Sequence, residues 1–217
     1  RGRATAELAR GLSNQNARIG DDEKPAPDPF TELGDPRPAF ADEAKRLSAA
    51  AKEYRKAKEG TSGAVSGLAT LGLAGILYDQ GKYAEAKTAY EEVKRSELAE
   101  RDRDAKARAI EGIGLSLAAL DQIEPPLRAF PQLETLDIPG MSALGQYHQA
   151  RLHLKQNQRD KAKELLKKAN DKLSKSDKKE EQGPMARPSG FLAAQVRELL
   201  TSLDPTAVPP PGIEGIT

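Results

Sequence analysis

One stretch, Gly72 to Val93 (GLAGILYDQGKYAEAKTAYEEV), constrains the fold of this chain more than any other. Apolar residues recur at helical spacing on both sides of Gly81, and small residues stand where two helices joined by a tight turn would touch. Leu73, Ala74 and Leu77 mark the first helix; Ala86 and Tyr90 mark the second. Two helix axes approach to about 8–10 Å only where one side presents Ala or Gly with a large side chain beside it. Ala74 and Ala86 are therefore the expected contact point and Tyr90 the expected knob. Gly81 supplies the permissive backbone that ends the first helix. An ordinary, unrepeated helical hairpin would account for this segment on its own.

The same grid can be laid twice more downstream. With Gly114 in the place of Ala74, Ile113 and Leu117 flank it, and Phe130 and Leu133 fall where Tyr90 and Val93 did. With Ala150 in that place, the second helix carries Ala162, Leu166 and Ala169. Positions 74, 114 and 150 are 40 and 36 residues apart, slightly longer than the period of about 34 of a tetratricopeptide (TPR) repeat. The order of small and large residues resembles that repeat. It predicts an all-α chain: a TPR-like right-handed superhelix of antiparallel helix hairpins, with an N-terminal helical extension and a C-terminal capping helix. In the middle repeat the small position of the second helix falls on Pro126, directly after Pro125. Proline fits a helix only within its first turn, where no amide donor is needed. That helix is expected to begin near Pro125, to be shortened or kinked by Pro131, and to make the middle hairpin the most distorted.

Composition agrees. Ala, Leu, Lys, Glu and Arg dominate the central part, Val and Ile are sparse, and no run alternates with period two, so a β-sheet is not expected. Lys and Arg number 34 against 33 Asp and Glu, which gives no reason to expect nucleic acid or an acidic substrate as partner. Cysteine is absent, which removes disulfides, cysteine-held zinc and a thiol nucleophile. No stretch reaches the roughly 18 apolar residues of a membrane span. The chain begins at Arg1 without methionine and reads as a fragment or processed chain, so the lack of a signal or anchor within it is weak evidence that the native protein has none.

Three regions are expected along the chain. Residues 1–38 hold a helix from Arg3 to Ile19 and a proline-dense connection from Gly20 to Arg37. Residues 39–203 form the helical domain. It opens with a helix from Ala39 to Lys58, turns at Gly60 to Gly63, and enters the first hairpin near Ala64. The third hairpin, Ser142 to Leu173, precedes a Lys/Glu/Pro-rich loop, Ser174 to Ser189, and a closing helix from Gly190 to Leu203. Residues 204–217 form an extended tail of polyproline composition.

Catalytic patterns are scarce. The two histidines, His148 and His153, stand about 140° apart around a helix and are poorly set to share a metal. Gly60, Gly63 and Gly67 lack the ending of a phosphate loop and read as a turn. Ser142 is outside any G-x-S-x-G frame. Glu91 and Glu92 read as a solvated helix face rather than an acid–base pair. No catalytic residue, cofactor or metal is expected, and an enzyme is the least favoured class.

The helix before the first hairpin, the D-x-G-K-Y-x-E-A turn at Asp79 to Ala86, and the G-Q-Y-H-x-A-R-L-x-L run at Gly145 to Leu154 resemble the periplasmic TPR-like domain of the YfgM family. Members of that family are ancillary subunits of the SecYEG translocon. They carry one transmembrane helix just before a short juxtamembrane helix, and Arg1 to Ile19 sits where the second would be. The resemblance implies a non-catalytic scaffold on the periplasmic side of the bacterial inner membrane, held by an upstream anchor, with translocon components or periplasmic chaperones as partners. Pro125, Pro126 and the proline-rich tail depart from the family pattern. The alternative is a soluble or lipid-anchored TPR assembly factor for an envelope machine, with a signal peptide upstream.

In a TPR array the first helices of successive hairpins line the concave face. By that register the groove holds Leu71, Tyr78 and Asp79, then Arg108, Glu111 and Leu115, then Leu144, Tyr147, Arg151 and Lys155. Arg108, Arg151 and Lys155 could hold carbonyls or carboxylates of a peptide, and Tyr78 and Tyr147 could offer apolar contact with a polar tip. The alternative is that these are ordinary exposed residues, or that Tyr78 and Tyr147 pack on neighbouring repeats.

Overall fold

The computed structural model describes residues 2–20, 37–180 and 189–207. These are almost entirely helical: α1 (Gly2–Gln15), α2 (Glu43–Glu59), α3 (Gly63–Asp79), α4 (Tyr83–Lys94), α5 (Glu97–Arg101), α6 (Arg103–Ala119), α7 (Glu124–Ala129), a 3-10 helix (Phe130–Leu136), α8 (Met141–Lys155), α9 (Arg159–Glu180) and α10 (Ser189–Leu203). The chain divides into two compact units, Arg1–Leu120 and Asp121–Thr217.

In the first unit α1 packs on α2, α2 on α3, α3 on α4 and α4 on α6, while α3 also touches α1 and α6. The pairings follow from the small residues. Ala50, Tyr54 and Ala57 of α2 and Ala69, Ala74 and Ile76 of α3 are wholly buried, and Ala86 of α4 is buried with them. Alternating methyl groups with one large ring lets neighbouring helices approach closely and still exclude water.

The three helices that open the expected hairpins end in the same way. Each is followed by a residue with left-handed backbone: Gly81 (φ 74°), Asp121 (φ 56°) and Asn157 (φ 58°). At two of them the bonding is complete. The amide of Gly81 donates to the Tyr78 carbonyl and that of Lys82 to the Leu77 carbonyl, both at 2.9 Å. Asn157 to Leu154 (3.0 Å) and Gln158 to His153 (2.8 Å) repeat the pattern. These are Schellman closures, which satisfy the last carbonyls of a helix and reverse the chain. The left-handed positions 81, 121 and 157 keep the register of 74, 114 and 150, seven residues on. Burial follows the same grid. Ala74, Gly114 and Ala150 are buried, as are Ala86, Pro126 and Ala162, and Val93, Leu133 and Ala169.

In the second unit the 3-10 helix packs on α8, α8 on α9 and α9 on α10. Gly145 permits the first contact: a Cβ there would lie 2.7 Å from the Phe130 carbonyl oxygen. Leu166, Leu173, Val196 and Leu200 fill the core between α9 and α10. Asp204, just past α10, accepts from Lys163 Nζ at 2.5 Å and from the Thr206 hydroxyl at 2.7 Å. The Lys163 ammonium holds the Asp204 carboxyl well below the usual carboxylate range.

Several boundaries differ from the sequence expectation. The first helix stops at Gln15 rather than Ile19, because Arg18 and Ile19 form a two-residue parallel bridge with Ala39 and Phe40. That bridge also displaces the start of the second helix from Ala39 to Glu43, where Asp42 Oδ1 accepts the Lys45 amide at 2.7 Å. The helix α9 runs to Glu180, so residues 174–180 of the expected loop are helical; the rest of that loop, the connection from 21 to 36, and the tail from 208 lie outside the described residues. The double proline sits in the first turn of α7, which lasts six residues before giving way to the 3-10 helix containing Pro131. A short helix, α5, occupies the extra residues of the longer 40-residue interval. Its Leu98 lies against Gly67 of α3, where a Cβ would come within 2.7 Å.

Candidate functional site

Within the first unit, α1, α3 and α6 line a cavity of about 400 Å³. Leu8, Leu12 and Gln15 come from α1, Leu68, Leu71, Gly72 and Gly75 from α3, and Arg108, Glu111, Gly112 and Leu115 from α6. Tyr54 of α2 and Tyr90 of α4 reach it from behind.

Each tyrosine enters through glycines. The Tyr54 ring fills the space beside Gly11 and Gly72, where a Cβ would come within 2.7 Å and 2.5 Å of ring carbons, and its hydroxyl donates to Gln15 Oε1 at 2.6 Å. Tyr90 occupies the equivalent space beside Gly112. Burial pushes both phenols up to about 12; for Tyr90 the charges of Asp79 and Glu111 add to burial. Both are therefore hydrogen-bond donors at any physiological pH. The Tyr54 donor is used within the fold. The Tyr90 hydroxyl has no hydrogen-bond partner among the described residues, and it borders the cavity.

Gly75 differs from its two neighbours in role. The nearest atom to a Cβ built there is the Tyr90 hydroxyl, at 3.8 Å, so α3 presents bare backbone to open space at this point. Around it the walls are aliphatic and partly wet: Leu12 is 50% and Leu68 41% exposed. Arg108 stands at the edge, exposed, and is paired with no carboxylate among the described residues.

The residues expected to line a groove separate into three sets. Leu71, Arg108, Glu111 and Leu115 line this cavity. Tyr78 and Asp79, at the end of α3, do not; Tyr78 meets Tyr83 edge to face at 5.2 Å. Asp79 is exposed as a residue, but partial desolvation of its carboxyl by the surrounding protein, with Glu43 nearby and Arg46 opposing, raises its pKa. Leu144, Tyr147, Arg151 and Lys155 belong to α8 of the second unit, where Leu144 and Tyr147 are half-buried and Arg151 and Lys155 exposed. The Arg151 guanidinium lies 5.7 Å from the Tyr147 ring centroid, a cation–π contact. The two histidines lie apart in role. His148 is buried and stacked on Phe130 at 4.7 Å, and His153 Nδ1 pairs with Gln158 at 2.7 Å. Among the described residues no group of three or more His, Asp or Glu could hold a metal ion.

The chain matches no protein-family model and no curated protein.

Sequence reasoning missed Leu8, Leu12 and Gln15, because α1 was read as an extension outside the helical domain. A signal was present. Ala50, Tyr54 and Ala57 on α2 repeat the spacing of Ala86, Tyr90 and Val93 on α4. That marks α2 as a second helix, whose first helix is α1.

Proposed function

We propose that this chain is a non-catalytic protein-binding scaffold, built as a TPR-like right-handed superhelix, and that the cavity between α1, α3 and α6 receives a segment of a partner protein. The observation that carries this reading is the cavity: α1, α3 and α6 turn leucines and a bare glycine toward one solvent-reached space, and the unpartnered phenol of Tyr90 borders it from α4. Partly exposed leucines gathered in a concavity, rather than scattered, mark a surface that gains by being covered. The common register of the left-handed closures and buried small residues supports the repeat architecture. Placement on the periplasmic side of the bacterial inner membrane, with translocon or chaperone partners and an upstream anchor, rests on the sequence resemblance alone. Among the described residues no helix is long and apolar enough to cross a membrane.

Photoreactive residues placed at Leu12 and Leu115 in the full-length protein, with Lys52 on the exposed face of α2 as control, test the reading. Crosslinks to a specific protein from the first two positions and none from Lys52 are expected. Equal labelling from all three, or labelling from Lys52 alone, would remove the cavity from the account.

A further inference from the structure

The cavity is not uniformly apolar, and its polar groups are placed in a way that specifies a ligand. Resting on the reading of the cavity as a protein-binding groove, we propose that its occupant is an acidic-apolar segment of a partner protein. One aliphatic side chain of that segment lies over Gly75, an adjacent backbone carbonyl accepts from the Tyr90 hydroxyl, and a neighbouring Asp or Glu meets Arg108.

Three observations converge. Gly75 leaves a gap on the wall of α3, where the Tyr90 hydroxyl alone comes within 4 Å of a built Cβ, in the cavity that Leu68 and Leu71 of the same helix and Leu115 of α6 also line. A glycine inside a helix is unfavourable relative to alanine. Gly72 and Gly112 make room for tyrosine rings, whereas at Gly75 a Cβ would clash with no side chain of the fold. At that gap the Tyr90 hydroxyl is a donor held in its protonated form and without an acceptor. A backbone carbonyl of a ligand supplies one, and a neutral hydrogen bond of this kind contributes about 1 kcal/mol. At the rim, Arg108 is a cation with no ion-pair partner among the described residues. A carboxylate is its natural complement, because guanidinium binds carboxylate through two parallel hydrogen bonds. Glu111, the carboxylate that also lines the cavity, is already engaged within the fold, so Arg108 is the charge left for a ligand; aliphatic gap, neutral donor and cation call for an aliphatic side chain, a carbonyl and a carboxylate within a few residues of one another.

The test is selection of a displayed library of random 12-residue peptides on the full-length chain, on Arg108→Glu and on Gly75→Leu, followed by affinity measurement with the most enriched peptide on Tyr90→Phe. Arg108 is exposed and a Cβ at Gly75 meets only an ordinary contact, so both variants are expected to melt no lower than the parent, which circular dichroism checks. Expected are peptides with Leu, Ile or Met within four residues of Asp or Glu, exchange of that acidic preference for a basic one in Arg108→Glu, and loss of enrichment in Gly75→Leu. Tyr90→Phe should weaken the enriched peptide about fivefold, the equivalent of one neutral hydrogen bond. Apolar peptides without acidic preference, lost in Gly75→Leu but unchanged in Arg108→Glu, would overturn this inference and leave the groove. Enrichment that survives Gly75→Leu would overturn both. A failure to enrich any peptide would overturn the inference. So would a concentration-dependent dimer abolished by Gly75→Leu, which puts a second copy in the groove, or tighter peptide binding on removal of residues 208–217, which puts the chain's own tail there.

Discussion

The ring of Tyr54 occupies the space in which a side chain at Gly72 would begin: a Cβ there would lie 2.5 Å from Tyr54 Cζ. Three residues on, along the same helix, Gly75 has no such neighbour. One helix therefore holds two glycines with opposite consequences. Gly72→Ala forces the buried ring to move and should destabilise the protein by about 1–3 kcal/mol, the usual range for overpacking. Gly75→Ala relieves the entropic cost of glycine without a clash and should stabilise it by about 0.5–1 kcal/mol. Urea denaturation of the two single variants checks the pair; equal effects would mean that Tyr54 does not lie where described.

The left-handed closures give a second contrast. Gly81→Ala places a Cβ at φ 74° and should cost about 1–2 kcal/mol. Asn157→Gly occupies φ 58° without that penalty and should be neutral or stabilising by a few tenths of a kcal/mol. Thermal melts of each variant decide.

Two carboxylates should act in opposite senses on stability as pH changes. The hydrogen bond from Lys56, joined by one from Arg10, holds Glu53 below the usual carboxylate range in the folded state. A depressed folded pKa contributes stability above the unfolded value of about 4.3 and loses it as pH falls through the folded value. For Asp79 burial comes first and Glu43 adds to it, so the folded pKa is raised. Its contribution is present below the unfolded value of about 3.9 and is lost as pH rises through the folded value. Glu53→Gln should therefore lower stability at neutral pH and flatten the acid limb, while Asp79→Asn should raise stability at neutral pH. Urea midpoints collected from about pH 3 to pH 7 show both, and a shared direction would contradict the assignment.

The start of α2 is fixed by a single side chain. Asp42 accepts the Lys45 amide at 2.7 Å, so Asp42→Ala should cost about 1 kcal/mol, whereas Asp42→Asn, which can still accept, should cost less. Chemical denaturation of the two variants separates the hydrogen bond from general polarity.

The hairpin of α3 and α4 was legible because packing constraints are local. Ala74, Ala86 and Tyr90 must stand at fixed intervals if two short helices are to touch, and those intervals survive in the residues themselves. The position of the cavity was only half legible. Leu71, Arg108, Glu111 and Leu115 follow from the register, but Leu8 and Leu12 lie on a helix separated from its partner α2 by the whole stretch from Asn16 to Asp42. A hairpin signature read at fixed spacing does not survive such an insertion. The Tyr90 hydroxyl was hidden for another reason: at the level of sequence Tyr90 is a knob, and only the gap at Gly75 shows that its polar end emerges on the far side. The helical run of residues 174–180 was missed because it carries no apolar residue, so no periodicity marks it.

The most direct test of the account is leucine-methyl NMR of the full chain titrated with the protein segment that crosslinks to, or the peptide enriched on, the groove. The account predicts chemical-shift changes concentrated in Leu12, Leu68, Leu71 and Leu115, with the core leucines Leu166 and Leu173 of the second unit unmoved. Shifts confined to the second unit, with the four groove leucines silent, would contradict it.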